Sequence, residues 1–160
     1  YLEPYFKITV LYYNPNIEPI EEYLKRKEEQ INFIKKVHPD INVYDVDYEN
    51  NKYHDTVLGH ENDKEGGSRC YKCYKLRMEK CASIASNKFE YFGTTLTVSP
   101  HKNATYVNEI GKELEKKYNS KFLISDFKKN EGYKRSIVLS KEYNLYRQDY
   151  CGCIYSKRND

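Results

Sequence analysis

The sequence lacks several features that would define its function directly. Its 160 residues contain no run near the roughly 18 apolar residues of a membrane span, so we expect no membrane partner. Five cysteines are too few for a small secreted domain built on disulfides, which indicates a reducing, cytoplasmic compartment. The net charge of +3 is too small to indicate nucleic-acid binding by itself. A nucleotide-activating ligase is weakly supported, because no Gly-rich pyrophosphate loop is present.

Strand-like and helix-like segments alternate along the whole chain. This pattern predicts a single α/β domain with a parallel sheet, helices on both faces and right-handed crossovers. Residues 47–69 are polar, weakly patterned and predicted as a long loop. The predicted strands are Lys7–Tyr13, Ile41–Val46, Phe89–Thr95 and Lys121–Ile124. The predicted helices are Glu18–His38, Cys70–Ala85, Asn103–Tyr118 and Tyr133–Tyr143.

Two of the predicted helices carry apolar residues at helical spacing, which predicts their buried faces. The first stripe consists of Ile20, Leu24, Ile31 and Ile34. The second consists of Val107, Ile110, Leu114 and Tyr118.

Four cysteines form two close pairs, a CxxC (Cys70 and Cys73) and a CxC (Cys151 and Cys153). A CxxC alone is compatible with a metal site, a redox disulfide or simple packing. Two thiol pairs together indicate one tetrahedral zinc or one iron–sulfur cluster. Cys81 lies about three helical turns beyond the first pair, roughly 16 Å away, and is predicted to be a buried structural thiol.

Polar residues follow three of the predicted strands, at the edge where parallel sheets bind ligands. We expect the CxxC to face the same edge, because its helix also follows a strand. The loop containing Thr95, Ser99, His101 and Lys102 precedes a helix and suits a phosphate, although an ordinary capped loop explains it equally well.

Two carboxylates are candidates for the same site. Asp126 and Asp149 are expected near the thiols, where either could ligate iron or transfer a proton. The alternative is that both residues form turns or cap helices.

Several longer motifs carry a resemblance to a known family. They are Tyr13-Asn14-Pro15-Asn16-Ile17, Glu22-Tyr23-Leu24-Lys25-Arg26, Glu65-Gly66-Gly67-Ser68-Arg69-Cys70, residues 94–103, Ser125-Asp126-Phe127-Lys128-Lys129, Glu131-Gly132-Tyr133-Lys134-Arg135-Ser136 and Tyr146-Arg147-Gln148-Asp149-Tyr150-Cys151-Gly152-Cys153. With these motifs in this order, the chain resembles the cobalamin-independent epoxyqueuosine reductases of the QueH type from residue 1 to about residue 155.

The resemblance implies an oxidoreductase of tRNA processing that reduces epoxyqueuosine to queuosine at the wobble position. It also implies a Rossmann-like fold of the adenine-nucleotide-hydrolase kind, a [4Fe–4S] cluster, a second iron beside it, no cobalamin and an electron-donor protein. Cys70, Cys73, Cys151 and Cys153 carry over as metal ligands. On this basis, the candidate residues for binding the tRNA anticodon loop are Tyr13, Asn14, Thr95, Ser99, His101, Lys102, Lys128, Lys134 and Arg135.

The family also has an adjacent Cys-Cys pair near its N-terminus, which this sequence does not contain. We expect that pair in a strand, turn and helix preceding Tyr1. Without it the iron set would be incomplete, so the cofactors could be absent from a chain that begins here.

Two functions of other classes stay open at this point. One is a non-enzymatic RNA-binding module with a structural zinc held by the four cysteines. The other is a thiol–disulfide oxidoreductase that uses Cys70 and Cys73 without a metal.

Overall fold

The computed structural model describes residues 1–157, which form an α/β structure of two compact units. The first unit consists of residues 1–50 and 146–157, and the second of residues 51–145. The predicted α/β class with parallel strands is confirmed. Among the residues described, no helix has the length and apolar character needed to span a membrane.

The first unit is built on a strand–helix–strand repeat. Strand β1 (Thr9–Tyr12) pairs in parallel with β2 (Asn42–Asp45), and helix α1 (Ile20–Val37) connects them. Acidic residues in the first turn of α1 and lysines in its last turn complement the helix dipole. The helix ends before Pro39, as expected because proline disfavours the helical conformation in the residue before it.

The second unit contains a second repeat of the same kind. Its two strands pair in parallel, and a 3₁₀ turn and a helix connect them. The elements are α2 (Asn50–Val57, whose first residue belongs to the first unit), α3 (Ser68–Ala85), β3 (Tyr91–Phe92), the 3₁₀ turn (Leu96–Val98), α4 (Ala104–Lys117), β4 (Lys121–Phe122) and α5 (Gly132–Glu142).

The core of the second unit lies where α3 and α4 pack on the two short strands. Gly111 of α4 allows a close approach to β4, because a Cβ atom there would lie 2.3 Å from the Phe122 ring. The buried residues of this core are Cys70, Tyr74, Met78, Ala82, Ala85, Phe92, Val107, Ile110, Leu114 and Phe122. The apolar stripe predicted for α4 is therefore confirmed.

Some predictions from local patterns were wrong. The side chains of Ile20 and Leu24 are about half exposed, at 52% and 53%, although they were assigned to the buried face of α1. The residues of α1 that are buried are Tyr23, Arg26 and Ile34. The predicted loop 47–69 contains helix α2, whose buried side chains Tyr53 and Val57 are four residues apart. All four strands are shorter than predicted.

Candidate functional site

The CxxC motif lies in the first turns of helix α3. Gly67 caps this helix, and the Cys70 and Cys73 side chains are 8% and 7% exposed. The backbone N–H of Gly66 donates a hydrogen bond to the Cys70 sulfur at 3.2 Å. N–H groups at a helix start and the helix dipole both stabilise thiolates. The local structure therefore suits sulfur atoms that act as anions.

Arg69 stabilises the loop that leads into the CxxC. Its side chain is 2% exposed, and its Nη1 donates to the carbonyl oxygens of His60, Glu61 and Asp63 at 3.2, 2.8 and 2.5 Å. Its backbone N–H donates to the carboxylate of Asp63 at 3.0 Å. A hydrogen bond from His60, together with this N–H, lowers the pKa of Asp63. Arg69 therefore holds the backbone before Cys70 in place.

The loops after β3 and β4 are joined at the carboxyl ends of these strands. Thr97 is fully buried, and its Oγ1 lies 3.1 Å from Ser125 Oγ and accepts the backbone N–H of Phe127 at 3.2 Å. The side chain of Asn108, from α4, bonds both the N–H and the carbonyl of Ser125 at 3.1 and 3.0 Å. This network brings the predicted Thr95–Lys102 and Asp126–Lys128 segments to one edge of the second unit.

Within the first of these loops, the four predicted residues have different surroundings. Thr95 and His101 are exposed, and Ser99 Oγ accepts the backbone N–H of His101 at 3.3 Å. Ser99 therefore stabilises its own turn, which is the role that the alternative interpretation gave to the loop. The hydroxyl of Thr95 and the ring of His101 are accessible to solvent.

Lys102 is the one of these four residues that the structure places beside the CxxC helix. Its side chain is 12% exposed, and its ammonium group lies 5.7 Å from the centre of the Tyr74 ring and 4.0 Å from the Glu65 carboxylate. Tyr74 directly follows Cys73, and Glu65 lies in the turn before α3. Lys102 thus lies beside α3, and its charge is paired with that of Glu65.

Asp126 lies in the loop after β4 and is paired with two lysines. Its carboxylate is 3.0 Å from the Lys128 ammonium and 3.6 Å from that of Lys129. The Asp126 side chain is 21% exposed, so water and ligands can reach it. The pairing orients the carboxylate and places two ammonium groups on the same edge.

The remaining basic candidates lie at the start of helix α5. Lys134 and Arg135 are both exposed, and the Lys134 ammonium is 2.6 Å from the Glu131 carboxylate. None of the side chains of α5 is buried. This part of the helix therefore presents basic groups to solvent.

The CxC motif lies in the first unit, in the segment that returns to β1 and α1. Cys153 is 6% exposed, and its backbone N–H donates to the Cys151 sulfur at 3.4 Å. The Cys151 sulfur is also 2.9 Å from the Ser156 hydroxyl, which donates to the Cys153 carbonyl at 2.8 Å. Asp149 is exposed, two residues before Cys151. In the second thiol pair, too, one sulfur atom accepts a hydrogen bond from a backbone N–H.

Gly152 fits the CxC against the loop that follows β1. Its φ is +102°, and a Cβ atom there would lie 2.7 Å from Ile17 and 3.0 Å from the Arg26 guanidinium. The backbone N–H of Glu18 donates to the Gly152 carbonyl at 2.8 Å. Only glycine combines this backbone conformation with so close an approach.

Tyr13 and Asn14 are the first two residues of the loop that follows β1. The Tyr13 side chain is 5% exposed, and burial raises the pKa of its hydroxyl. Asn14 is partly exposed, and its carbonyl accepts the backbone N–H of Ile17 at 3.3 Å. Of these two tRNA candidates, Asn14 has the more accessible side chain.

The donor chemistry of both pairs fits iron–sulfur ligation. Within each unit, residues 1–157 contain no group of three or more His, Cys, Asp and Glu side chains placed to hold a metal ion. Each pair nevertheless offers two sulfur donors, one of which accepts a backbone N–H, and hydrogen bonds to sulfur are among the factors that tune such clusters.

Cys81, predicted to be a buried thiol, is partly buried. It packs against the core of the second unit, and burial raises its pKa to about 11. An uncharged thiol at neutral pH suits a structural residue.

Three residues that matter to these environments were not among the predicted site residues. Arg26 and Arg69 are the two charged residues that are buried within residues 1–157, and Thr97 is fully buried. A signal for Arg26 was its position three residues after Tyr23, on the face of α1 that is buried. The structural roles of Arg69 and Thr97 could not be predicted from periodicity, because their partners are loop groups.

The sequence is similar to known proteins along nearly its whole length. The family model described as epoxyqueuosine reductase QueH matches residues 1–159. A protein of Streptococcus pyogenes named epoxyqueuosine reductase QueH is 41% identical over 99% of this chain. Proteins of the same name from Staphylococcus epidermidis and Thermotoga maritima are 39% and 40% identical over 98% and 91% of the chain.

The chain spans only part of these relatives. It covers 64% of the Streptococcus pyogenes protein, 68% of the Staphylococcus epidermidis protein and 77% of the Thermotoga maritima protein.

Proposed function

Because the chain belongs to the epoxyqueuosine reductase QueH family, we propose that it reduces epoxyqueuosine to queuosine at the wobble position of tRNA. The observation that carries this proposal is the pair of thiol motifs within the matched region. Each motif has a buried cysteine, and in each a sulfur atom accepts a backbone N–H. Sulfur atoms in such surroundings are suited to bind a metal rather than to fill space.

The reaction requires both electrons and protons. Converting the epoxide to an alkene consumes two electrons and two protons and releases the oxygen as water. Because protein side chains do not supply electrons repeatedly, we propose a redox protein as the electron donor. We also propose Cys70, Cys73, Cys151 and Cys153 as ligands of a [4Fe–4S] cluster, with an adjacent iron ion and without cobalamin. When bound, this group would supply single electrons and a Lewis-acidic iron.

The local structure of the first thiol pair supports this proposal. Cys70 and Cys73 lie near the start of α3, where N–H groups and the helix dipole offset the negative charge of thiolate ligands.

Asp126 or Asp149 is proposed either to transfer a proton to the departing oxygen or to ligate iron. Asp126 is oriented by Lys128 and Lys129 at the edge where the strands of the second unit end. Asp149 is exposed two residues before the CxC. Proton transfer by a positioned acid typically contributes about 10²–10⁴-fold to a rate, so Asp126→Asn or Asp149→Asn should lower turnover within that range. Unchanged turnover in both variants would remove these residues from the mechanism.

The tRNA is proposed to bind through exposed polar and basic groups. Lys128, Lys134 and Arg135 supply positive charges for phosphates, and the exposed Thr95 and His101 supply hydrogen-bonding groups. Loop nucleotides are typically recognised when their bases are unstacked, through edge hydrogen bonds and stacking on side chains. Lys102, Asn14, Ser99 and Tyr13 are less exposed, and we propose them only as secondary contacts.

Anaerobic reconstitution with iron and sulfide tests the proposal. We expect a brown protein with acid-labile sulfide that reduces epoxyqueuosine in tRNA when an electron donor is supplied. Cys70→Ser should lose the cluster and the activity, whereas Cys81→Ser, on the same helix, should keep both. A colourless protein containing zinc and no sulfide would instead support the RNA-binding module. A metal-free protein that cycles between dithiol and disulfide would support the oxidoreductase.

A further inference from the structure

Arg26 is a charged residue in the middle of helix α1, yet its side chain is only 8% exposed. Its three guanidinium nitrogens donate in three directions. Nε bonds the Glu22 carboxylate at 2.6 Å, Nη1 the Cys151 carbonyl at 3.2 Å and Nη2 the Tyr150 carbonyl at 3.1 Å. The guanidinium also lies 5.1 Å from the centre of the Tyr150 ring. One side chain thus holds two consecutive peptide groups of the CxC segment.

The burial of Arg26 requires compensating interactions that an apolar side chain would not need. Burying a guanidinium costs several kcal/mol, roughly, unless its charge and its donors are satisfied. Glu22, whose side chain is 14% exposed, supplies the opposite charge, and the Tyr146 hydroxyl donates to the same carboxylate at 3.0 Å. Because the pair is close to neutral, its effect on the segment is mainly geometric. An apolar side chain of similar volume would fill the same space but would donate no hydrogen bond to the Tyr150 and Cys151 carbonyls.

We propose that Arg26 is a positioning residue that fixes the orientation of Cys151 and Cys153 as a ligand pair. This inference rests on the proposed role of the two thiols as iron ligands. Gly152, between the two cysteines, has φ +102°, and its carbonyl accepts the Glu18 N–H. The backbone conformation of Gly152 and this hydrogen bond together constrain the turn. Arg26 completes this by fixing the peptide groups that lead into the turn.

Lysine cannot replace this function. Its single ammonium nitrogen is a point donor on a flexible stem, whereas the guanidinium carries five donors in a rigid fork. An Arg26→Lys variant therefore keeps the charge but loses the simultaneous contact with both carbonyls and the carboxylate. If the effect were electrostatic, lysine would preserve it. If the effect is positional, lysine and glutamine should behave alike.

The test compares Arg26→Lys and Arg26→Gln with two controls in the anaerobically reconstituted protein. Ile34→Val removes one methyl group from the buried face of the same helix and lowers stability without touching the CxC. Lys35→Gln removes an exposed charge from the same helix. The measurements are the rate of iron release to a chelator, the unfolding midpoint, and hydrogen exchange of the Glu18 and Cys153 amides in the metal-free protein.

Replacing a group that orients metal ligands typically weakens metal binding by about 10–100-fold. We therefore expect both Arg26 variants to release iron faster by about this factor and to exchange both amides faster. The two controls should release iron like the parent protein. Equal rates of iron release and of amide exchange in the parent protein and the Arg26 variants would overturn the proposal. It would also be overturned if Ile34→Val, with the same unfolding midpoint as an Arg26 variant, released iron and exchanged the amides as fast as that variant. If the parent protein takes up no iron, amide exchange alone decides whether Arg26 positions the segment.

Discussion

The hydroxyl groups of Thr97 and Ser125 lie 3.1 Å apart and join the loops that follow β3 and β4. We predict that Thr97→Val lowers the free energy of unfolding by about 1–3 kcal/mol, because the buried Ser125 hydroxyl loses its partner and the Phe127 N–H loses its acceptor. Urea denaturation of the two proteins measures the difference. Thr95→Val, at an exposed position of the same loop, should change stability by less than about 0.5 kcal/mol. Equal losses for the two variants would contradict this role of Thr97.

The sequence was a good guide where a structure depends on neighbours close in the chain. The stripe of α4 and the position of Cys70 near a helix start follow from local spacing, and the structure shows both. The buried face of α1 could not be predicted in this way. It is occupied by Tyr23 and Arg26, and Arg26 contacts carbonyl groups 124 and 125 residues further along the chain.

The same distinction applies to the candidate site. The cysteines and carboxylates could be named from residue type and spacing, but the groups that hold them could not. Arg69 and Thr97 act through backbone groups of loops, and a loop's course depends on tertiary packing rather than on a periodic pattern. Helix α2 was missed because it is only eight residues long and lies in a polar region.

Gly152 is predicted to be indispensable to the CxC turn. Gly152→Ala should destabilise the protein by more than about 2 kcal/mol, because a Cβ atom would approach Ile17 to 2.7 Å in addition to the strain of a positive φ. Thermal or urea unfolding of the metal-free protein measures this. Gly59→Ala is the matched control, since Gly59 has φ +80° and a Cβ atom added there would have no neighbouring atom within 4 Å. It should cost only the strain, about 1–2 kcal/mol. Similar losses at both glycines would show that the close packing does not matter.

Cys81 should make stability depend on pH in the alkaline range. Burial raises its pKa from 9.0 to about 11, so the folded state retains a proton that the unfolded state loses between these values. The free energy of unfolding should therefore be unaffected by this group below about pH 8. It should fall as pH rises from 9 towards 11, by at most about 1.4 kcal/mol per pH unit.

Urea denaturation from pH 8 to 11 under reducing conditions measures this dependence, with Cys81→Ala as the reference. The difference in stability between the parent protein and this variant should narrow as the pH rises through this window. A difference that stays constant up to pH 11 would mean that the thiol is not shielded from water in the way that its packing indicates.

If the chain binds tRNA as proposed, the basic groups of α5 should determine how salt affects its affinity. Lys134 and Arg135 are exposed at the start of this helix. For single-stranded nucleic acid, each contact between a basic side chain and a phosphate contributes about −0.7 to the slope of log affinity against log salt concentration. We predict that Arg135→Gln reduces the steepness of this slope by about that amount. A smaller fall is expected for Lys134→Gln, because the Glu131 carboxylate 2.6 Å away already offsets the Lys134 charge.

Titrations of each variant with tRNA containing epoxyqueuosine, at several salt concentrations, give these slopes. Lys116→Gln is the control, because it removes the same charge from an exposed position in the last turn of α4. If Lys116→Gln lowered the slope as much as Arg135→Gln, binding would reflect net charge alone and the surface of α5 would have no special part in it. If neither variant of α5 changed the slope, the phosphates of the anticodon loop would have to contact a different surface, and Lys128 beside Asp126 would be the next residue to test.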